Sequence, residues 1–405
     1  MQEINFANSA INFQLLQQRA FNLRWATVEE GVIPLTAADP DFPVAPEIQE
    51  AIKSYTSGGV FSYGPPTGLP EFKATAAEVL ETRKGVKSDP DWILPTDGAA
   101  SGMFTVAKMA LRPGDEVIIF DPVDFLFQKS VEAAGGTIIR ISLNLDTGSF
   151  DQEYLAQVIS KKTKMICVCN PHNPLGRVLT KRELMFIGSL AVKHNLWIMN
   201  DEIWSDIVYA PNEHINISSL DQEIAKRTIS IYGFSKTFGL AGLRVGFIAA
   251  PSKKVFDRLL NTSQAETTAT GVSTLSQVAA IAAYKDCWYW ADAFLNHLTK
   301  VRDYSVKRLN KMPGILCTKP EGTYLLFPNI QNFGLSSEEM TKYLLEKSKV
   351  AVVPGASKWF GPGAEGHIRL CFSTSMEIME EALDRIELAL NELPIINSQE
   401  KIKML

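Results

Sequence analysis

Tyr232-Gly233-Phe234-Ser235-Lys236-Thr237-Phe238-Gly239-Leu240-Ala241-Gly242-Leu243-Arg244 follows directly on a β-rich run, and its lysine is the residue on which the reading of the chain turns. A lysine at a strand end, beside a hydroxyl and eight residues before an arginine, is placed to bond a carbonyl compound near a phosphate. A surface lysine would be solvated and protonated, and would need no such company.

Outward from this stretch, strand-like runs alternate with helical patterns: Glu116–Phe120, Thr137–Ile141, Met165–Cys169, Leu196–Met199, Thr228–Tyr232 and Val245–Ala249. Such alternation predicts an α/β fold with a mainly parallel sheet wrapped by helices. Ligands of open α/β sheets bind beyond the carboxyl ends of the strands. Asn170 to Asn173, Asp201 and Ser235-Lys236 all stand there and can face one crevice. From Trp288 a long helical pattern leads into strand-like Thr323–Phe327, Ala351–Val353 and Ile368–Phe372, predicting a smaller α+β domain. The division expected is therefore an N-terminal arm at 1–50 that joins the small domain, a large domain at 51–287 and the small domain at 288–405. No internal repeat interrupts this order.

Composition narrows the classes. The 405 residues carry a formal charge of −5, without a long run of like charge, which disfavours nucleic acid as a partner. No unbroken apolar stretch long enough for a bilayer is evident, and Met1-Gln2-Glu3-Ile4-Asn5 lacks a basic segment followed by an apolar one, so the expected location is cytoplasmic. Five cysteines lack ligand-like spacing; Cys167 and Cys169 alternate on a strand and point to one face. A nicotinamide dehydrogenase would need a glycine-rich fingerprint after its first strand, and none is found. A regulator that kept such a fold but lost catalysis would usually carry a helix-turn-helix module in front, whereas here the fold begins almost at once.

Each polar strand end then takes a part in the chemistry of pyridoxal phosphate. That cofactor needs a carboxylate to keep its pyridine nitrogen protonated, and Asp201 can supply it, although an Asp at a strand-to-helix turn also serves as a plain N-cap. Asn173, in Asn170-Pro171-His172-Asn173-Pro174-Leu175-Gly176, can donate to the phenolate oxygen, or can simply tolerate the turn. His172 reads as a loop residue. The run Thr96-Asp97-Gly98-Ala99-Ala100-Ser101 precedes a helical pattern through Leu111, so its amides can approach a phosphate. Arg244, flanked by Leu243, Val245, Gly246 and Phe247, sits in an apolar setting that would call for a bound anion.

These motifs resemble the fold type I pyridoxal-phosphate enzymes of the aspartate aminotransferase superfamily, class I/II, over nearly the whole chain. Asn-Pro-x-Asn-Pro-x-Gly at 170–176, Asp-Glu at 201–202, Ser-Lys-x-Phe-Gly-x-x-Gly-x-Arg at 235–244 and Arg-Leu-Cys-Phe at 369–372 carry the likeness. The resemblance implies a seven-stranded sheet, Lys236 as Schiff-base lysine and general acid/base, and Asp201 as pyridinium partner. It further implies Asn173 as phenolate donor, Ser235, Arg244, Gly98, Ala99 and Ala100 around the phosphate, and Arg369, with Asn173, on the substrate α-carboxylate. Tyr63, in Tyr63-Gly64-Pro65-Pro66-Thr67-Gly68, is similar to a tyrosine that reaches the phosphate of the neighbouring subunit, which implies a homodimer; packing against a Pro-rich turn is its other explanation. The implied activity is amino transfer between an L-amino acid and a 2-oxo acid.

Three departures stand out. Trp204 occupies the place of a common tyrosine, Gly233 replaces a serine, and Asp124 stands where relatives stack an aromatic on the cofactor, leaving Phe125, or else Phe127, as the candidate ring. In addition, Ala38-Asp39-Pro40-Asp41-Phe42-Pro43-Val44-Ala45-Pro46, with Trp92, resembles the cystathionine β-lyase-like branch (PatB/MalY type), which makes carbon–sulfur elimination the alternative reaction.

Overall fold

The computed structural model describes residues 4–267 and 269–396. In chain order its strands are β1 (Ile33–Pro34), β2 (Ile93–Thr96), β3 (Glu116–Asp121), β4 (Thr137–Ser142), β5 (Thr163–Cys169) and β6 (Trp197–Asp201), then β7 (Thr228–Gly233), β8 (Gly246–Ala249), β9 (Leu325–Leu326), β10 (Val350–Ala351), β11 (Val353–Pro354) and β12 (Ile368–Cys371). Seven of them form the central sheet in the order β2-β8-β7-β6-β5-β3-β4. All its pairings are parallel except those of β8, which runs antiparallel to both β2 and β7.

The period of two along each strand explains why both faces are covered. Val117, Ile119, Met165, Cys167 and Cys169 pack with the helix Gly98–Ala110 through Met103 and Val106. Ile118, Phe120, Ile166 and Val168 pack instead with the helix Lys181–His194 through Leu184 and Ile187. These strands read as continuous apolar runs because neither face meets water. Each such side chain contributes about 1.5–3 kcal/mol when removed from solvent. The helix Lys181–His194 starts at a capping box, Thr180 with Glu183, and stops at Asn195, whose φ of 57° is left-handed.

β2 has no counterpart among the strands expected from the sequence. Its Pro95 lacks an amide hydrogen, and the strand survives because it lies at the sheet edge, bonded only to β8. In the C-terminal part, a second sheet runs β11-β12-β9, and β1 pairs with β10 in parallel, tying the N-terminal segment to residues that follow 309. Two expected strands shrink. Thr323 has a φ of 65°, so β9 begins only at Leu325, and the 351–353 stretch is split between β10 and β11. The helix Trp288–Leu309 spans 22 residues and joins this part to the central core through Phe294, Leu298 and Val301. No described helix is long and apolar enough to cross a membrane.

Candidate active site

A cavity of about 300 Å³ opens at the carboxyl ends of the parallel strands. It gathers side chains from widely separated parts of the chain: Asp201 from the end of β6, Ser235 and Lys236 just beyond β7, Asn173 from the loop after β5, and Arg369 from β12. Gly98, Ala99, Ala100, Phe125, Trp204 and Arg244 line it too. Tyr63 does not; it is 91 % exposed, on a separate surface with Val60 and Phe61.

Lys236 donates to the Ala38 carbonyl at 2.7 Å, and Tyr324 Oη donates to the same oxygen at 3.2 Å. Burial pulls the Lys236 pKa below its ordinary value, with Arg369 acting in the same direction and Asp39 and Asp124 opposing it. Its ammonium lies 5.4 Å from the centre of the Trp204 ring, and Trp204 is in turn fixed edge-on against Tyr324, 4.6 Å between ring centres.

Asp201 is buried and forms no ion pair among the described residues. Burial pushes its pKa up to about 7, against the pull of the Ile203 amide, which donates to it at 3.1 Å; Asp124 and Glu202 push the same way as burial. A carboxylate so placed invites a cationic partner.

Arg369 donates to the Thr36 carbonyl at 3.0 Å and to Asn173 Oδ1 at 3.3 Å, while its buried Nε has no protein partner. Asn173 Nδ2 donates to Asp124 Oδ2 at 2.8 Å. His172, next to it, is buried with both ring nitrogens unpartnered, and burial together with Arg177 lowers its pKa to about 3, so it stays neutral.

The helix Gly98–Ala110 starts without help from the Asp97 side chain. Its first amides are therefore open to an anion, with the positive end of the helix dipole behind them. Two glycines make the approach possible. A Cβ on Gly98, whose φ is +80°, would stand 3.2 Å from the Arg244 guanidinium, and one on Gly246 would stand 2.5 Å from the Tyr232 carbonyl and 3.0 Å from the Ala99 amide.

Arg244 departs from the sequence expectation. Its side chain is 55 % exposed rather than enclosed by its apolar neighbours, and it pairs with Asp97 at 3.5 Å while donating to the Asp97 carbonyl at 3.1 Å. The cause is local: a φ of 49° turns the backbone at Arg244 away from Val245 and aims the side chain at the helix start. Phe125 and Phe127 both line the cavity: Phe125 stands half-buried, edge-on to Trp359 at 5.8 Å, while Phe127 is buried and clusters with Val117 and Ile119 of β3. Leu23, Trp359 and Phe360 also line the cavity, and nothing in their local sequence marked them.

These groups fit a compound with a phosphate at one end, a basic ring nitrogen at the other and a carbonyl between. The open helix start with Arg244 suits the first, the unpaired buried Asp201 the second and Lys236 the third.

The profile of the family described as "Aminotransferase class I and II" matches residues 30–386. The aspartate aminotransferase of Pyrococcus abyssi is 35 % identical over 371 residues, covering 90 % of this chain and 92 % of that protein. The crystal structure of an aromatic aminotransferase from Pyrococcus horikoshii OT3 superposes with a TM-score of 0.84 at 33 % identity, over 90 % of this chain and 97 % of the other. Cystalysin from Treponema denticola, whose crystal structure contains a pyridoxal 5'-phosphate cofactor, gives 0.88 at 27 % identity over 96 % of this chain and 99 % of its own.

Proposed function

Since this chain belongs to the class I and II aminotransferases, we propose that it is a pyridoxal-phosphate-dependent enzyme moving an amino group between an L-amino acid and a 2-oxo acid. The single observation that carries the reading is the meeting of Lys236, an unpaired buried Asp201 and an uncapped helix start in one cavity. Pyridoxal phosphate supplies a carbonyl that takes up the amino group and a positively charged ring that draws electrons from the substrate Cα.

The residues divide the remaining work. Lys236 Nζ, its pKa lowered by burial, is placed to take the proton from the substrate Cα and to return one. Asp201 keeps a positive ring nitrogen charged, which relieves the cost of its own burial. The amides of Gly98, Ala99 and Ala100, with Ser235 and Arg244, hold the phosphate. Arg369 Nε and its neighbouring nitrogen offer a fork to the substrate α-carboxylate, and Asn173 lies beside them. Residues 51–287 would thus carry most of the cofactor contacts, while 1–50 and 288–405 supply the Ala38 carbonyl and Arg369.

Tyr63, almost fully exposed beside Val60 and Phe61, is positioned for a second copy of the chain, and in this reading reaches the neighbouring cavity of a homodimer. The five cysteines are buried and unpaired, which suits a reducing cytoplasm. Elimination from a sulfur-bearing amino acid is the second reading, favoured by the Ala38–Asp39 segment, which walls the cavity and accepts from Lys236.

The test is turnover of purified, cofactor-loaded protein with panels of amino acids and 2-oxo acids. Lys236→Ala is expected to abolish transfer, and full transfer by that variant would remove Lys236 from the reaction.

A further inference from the structure

Resting on the aminotransferase reading, we propose that Asp206, anchored by Lys84, is a positioning residue that fixes Lys236 relative to Asp201 and Trp204 through the hydroxyl of Thr237. Lys236 lies between the end of β7 and the short turn Ala241–Leu243, where neither a helix nor a strand ladder sets its place. Side chains on either side do so instead. Phe234 and Phe238 are buried against Tyr284, their ring centres 4.4 and 5.9 Å from its own. Such apolar contacts are non-directional and leave the rotation of the backbone between them to a directional bond. Thr237 supplies it: its side chain is buried, and Oγ1 donates to Asp206 Oδ2 at 2.9 Å. A β-branched side chain is stiff about its first torsion, so holding Oγ1 holds the backbone next to Lys236.

Asp206 is a firm acceptor. Its other oxygen takes the Lys84 ammonium, which comes from the last turn of the helix Pro70–Lys84, and both side chains are largely buried. Burial pushes the carboxyl pKa up, but Lys84 and the Thr237 hydroxyl outweigh it and hold the group below the usual carboxylate range, so the hydrogen bond from Thr237 is charge-assisted. Asp206 also belongs to the turn that follows β6, where the Ser205 amide donates to the Glu202 carbonyl at 3.0 Å and the Ile207 amide to the Trp204 carbonyl at 2.9 Å. That turn begins just after Asp201 and carries Trp204, whose ring centre lies 5.4 Å from Lys236 Nζ. The bond between Thr237 and Asp206 thus joins the two segments whose spacing decides whether one cofactor can meet Asp201 at its ring nitrogen and Lys236 at its carbonyl. Lys84, Asp206 and Thr237 themselves stand outside the cavity lining, so their effect passes through Lys236. A misplacement of about 1 Å can cost on the order of a hundredfold in rate, and loosening one bond of several is expected to cost about tenfold.

Thr237→Val and Thr237→Ala remove the hydroxyl, whereas Thr237→Ser keeps it. In the cofactor-loaded enzyme the first two are expected to lower kcat about tenfold and to leave KM within about twofold, since Arg369 is untouched, and Thr237→Ser to regain most of the loss. Thr180→Ala, which loosens a different helix, is expected to keep the parental kcat and so separates this effect from a general loss of stability. A second readout needs no turnover. Cofactor-free protein is given pyridoxal phosphate and quenched with borohydride at timed intervals; the Lys236 amine condenses with the aldehyde with loss of water, hydride fixes the bond, and peptide mass spectrometry counts the adduct at Lys236. Its formation is expected to be several-fold slower in Thr237→Val and Thr237→Ala and parental in Thr237→Ser. Parental kcat and trapping in the variants without the hydroxyl overturn the proposal, and so does a loss that Thr237→Ser fails to restore. Failure of both hydroxyl-free variants to fold assigns the hydroxyl to the fold and overturns it as well. An unaltered protein that forms no adduct at Lys236 contradicts the cofactor reading instead.

Discussion

Replacing Asp41 by leucine strands the buried charge of Arg24 within the segment whose Ala38 carbonyl accepts from Lys236. Arg24 is 1 % and Asp41 4 % exposed; their side chains form an ion pair, and Arg24 also donates to the carbonyls of Pro34 at 2.9 Å and Ala37 at 3.3 Å. Trp25 Nε1 donates to Asp41 at 2.7 Å. Together these contacts brace the segment whose Ala38 carbonyl accepts from Lys236. Removing one partner of a buried pair costs about 3–5 kcal/mol, because the other is left unsolvated. At about 2.1 cal/mol/K of unfolding entropy per residue, 405 residues convert 4 kcal/mol into a Tm loss of about 5 °C. The double change Arg24→Met/Asp41→Leu takes out both charges and is expected to recover most of that loss, leaving roughly 1 kcal/mol for the indole that loses its acceptor. Calorimetry at matched protein and cofactor concentration reads all three proteins. A single variant within 1 °C of the parent, or a double variant worse than the single one, refutes the reasoning.

Asp201→Asn should separate stability from activity. The folded carboxyl titrates near 7, above its unfolded value, so the native state binds more protons between about pH 4 and 7, and cofactor-free protein loses stability as pH rises through that window, by up to about 1.4 kcal/mol per unit. The Asn variant is expected to lack this slope in denaturant titrations and yet to be nearly inactive when loaded; an unchanged slope would remove Asp201 as its source. Thr180→Ala removes a capping box from the helix Lys181–His194 and should cost about 1 kcal/mol in a urea midpoint without altering KM. Gly246→Ala places a methyl group 2.5 Å from the Tyr232 carbonyl and 3.0 Å from the Ala99 amide, so the strand and the helix start must part; weaker cofactor retention on dialysis is the expected sign, and parental retention would argue that the backbone relaxes freely.

Much of this site was legible in the sequence because its chemistry sits where strands end. Asp201, Asn173 and Lys236 are polar residues closing apolar runs, and a parallel sheet necessarily lines such positions along one edge. Arg369 was legible only through resemblance, since its own strand spans four residues and shows no marked pattern. The surroundings of Arg244 were misread because flanking apolar residues do not reveal a left-handed backbone that turns the side chain outward. β2 escaped notice because proline argues against a strand unless the strand is at an edge, and edge position is a property of the finished sheet. Asp124 was visible as a departure, but its bond to Asn173 depends on two loops 49 residues apart meeting at the cavity.

The most direct test of the central claim is one half of the reaction. Cofactor-loaded protein is mixed with a single L-amino acid, no 2-oxo acid is added, and products are counted per subunit. Amino transfer predicts one equivalent of the matching 2-oxo acid per subunit, no ammonia, and a halt until an acceptor 2-oxo acid is supplied. Continued release of pyruvate and ammonia with a thiol from a sulfur-bearing amino acid would contradict it.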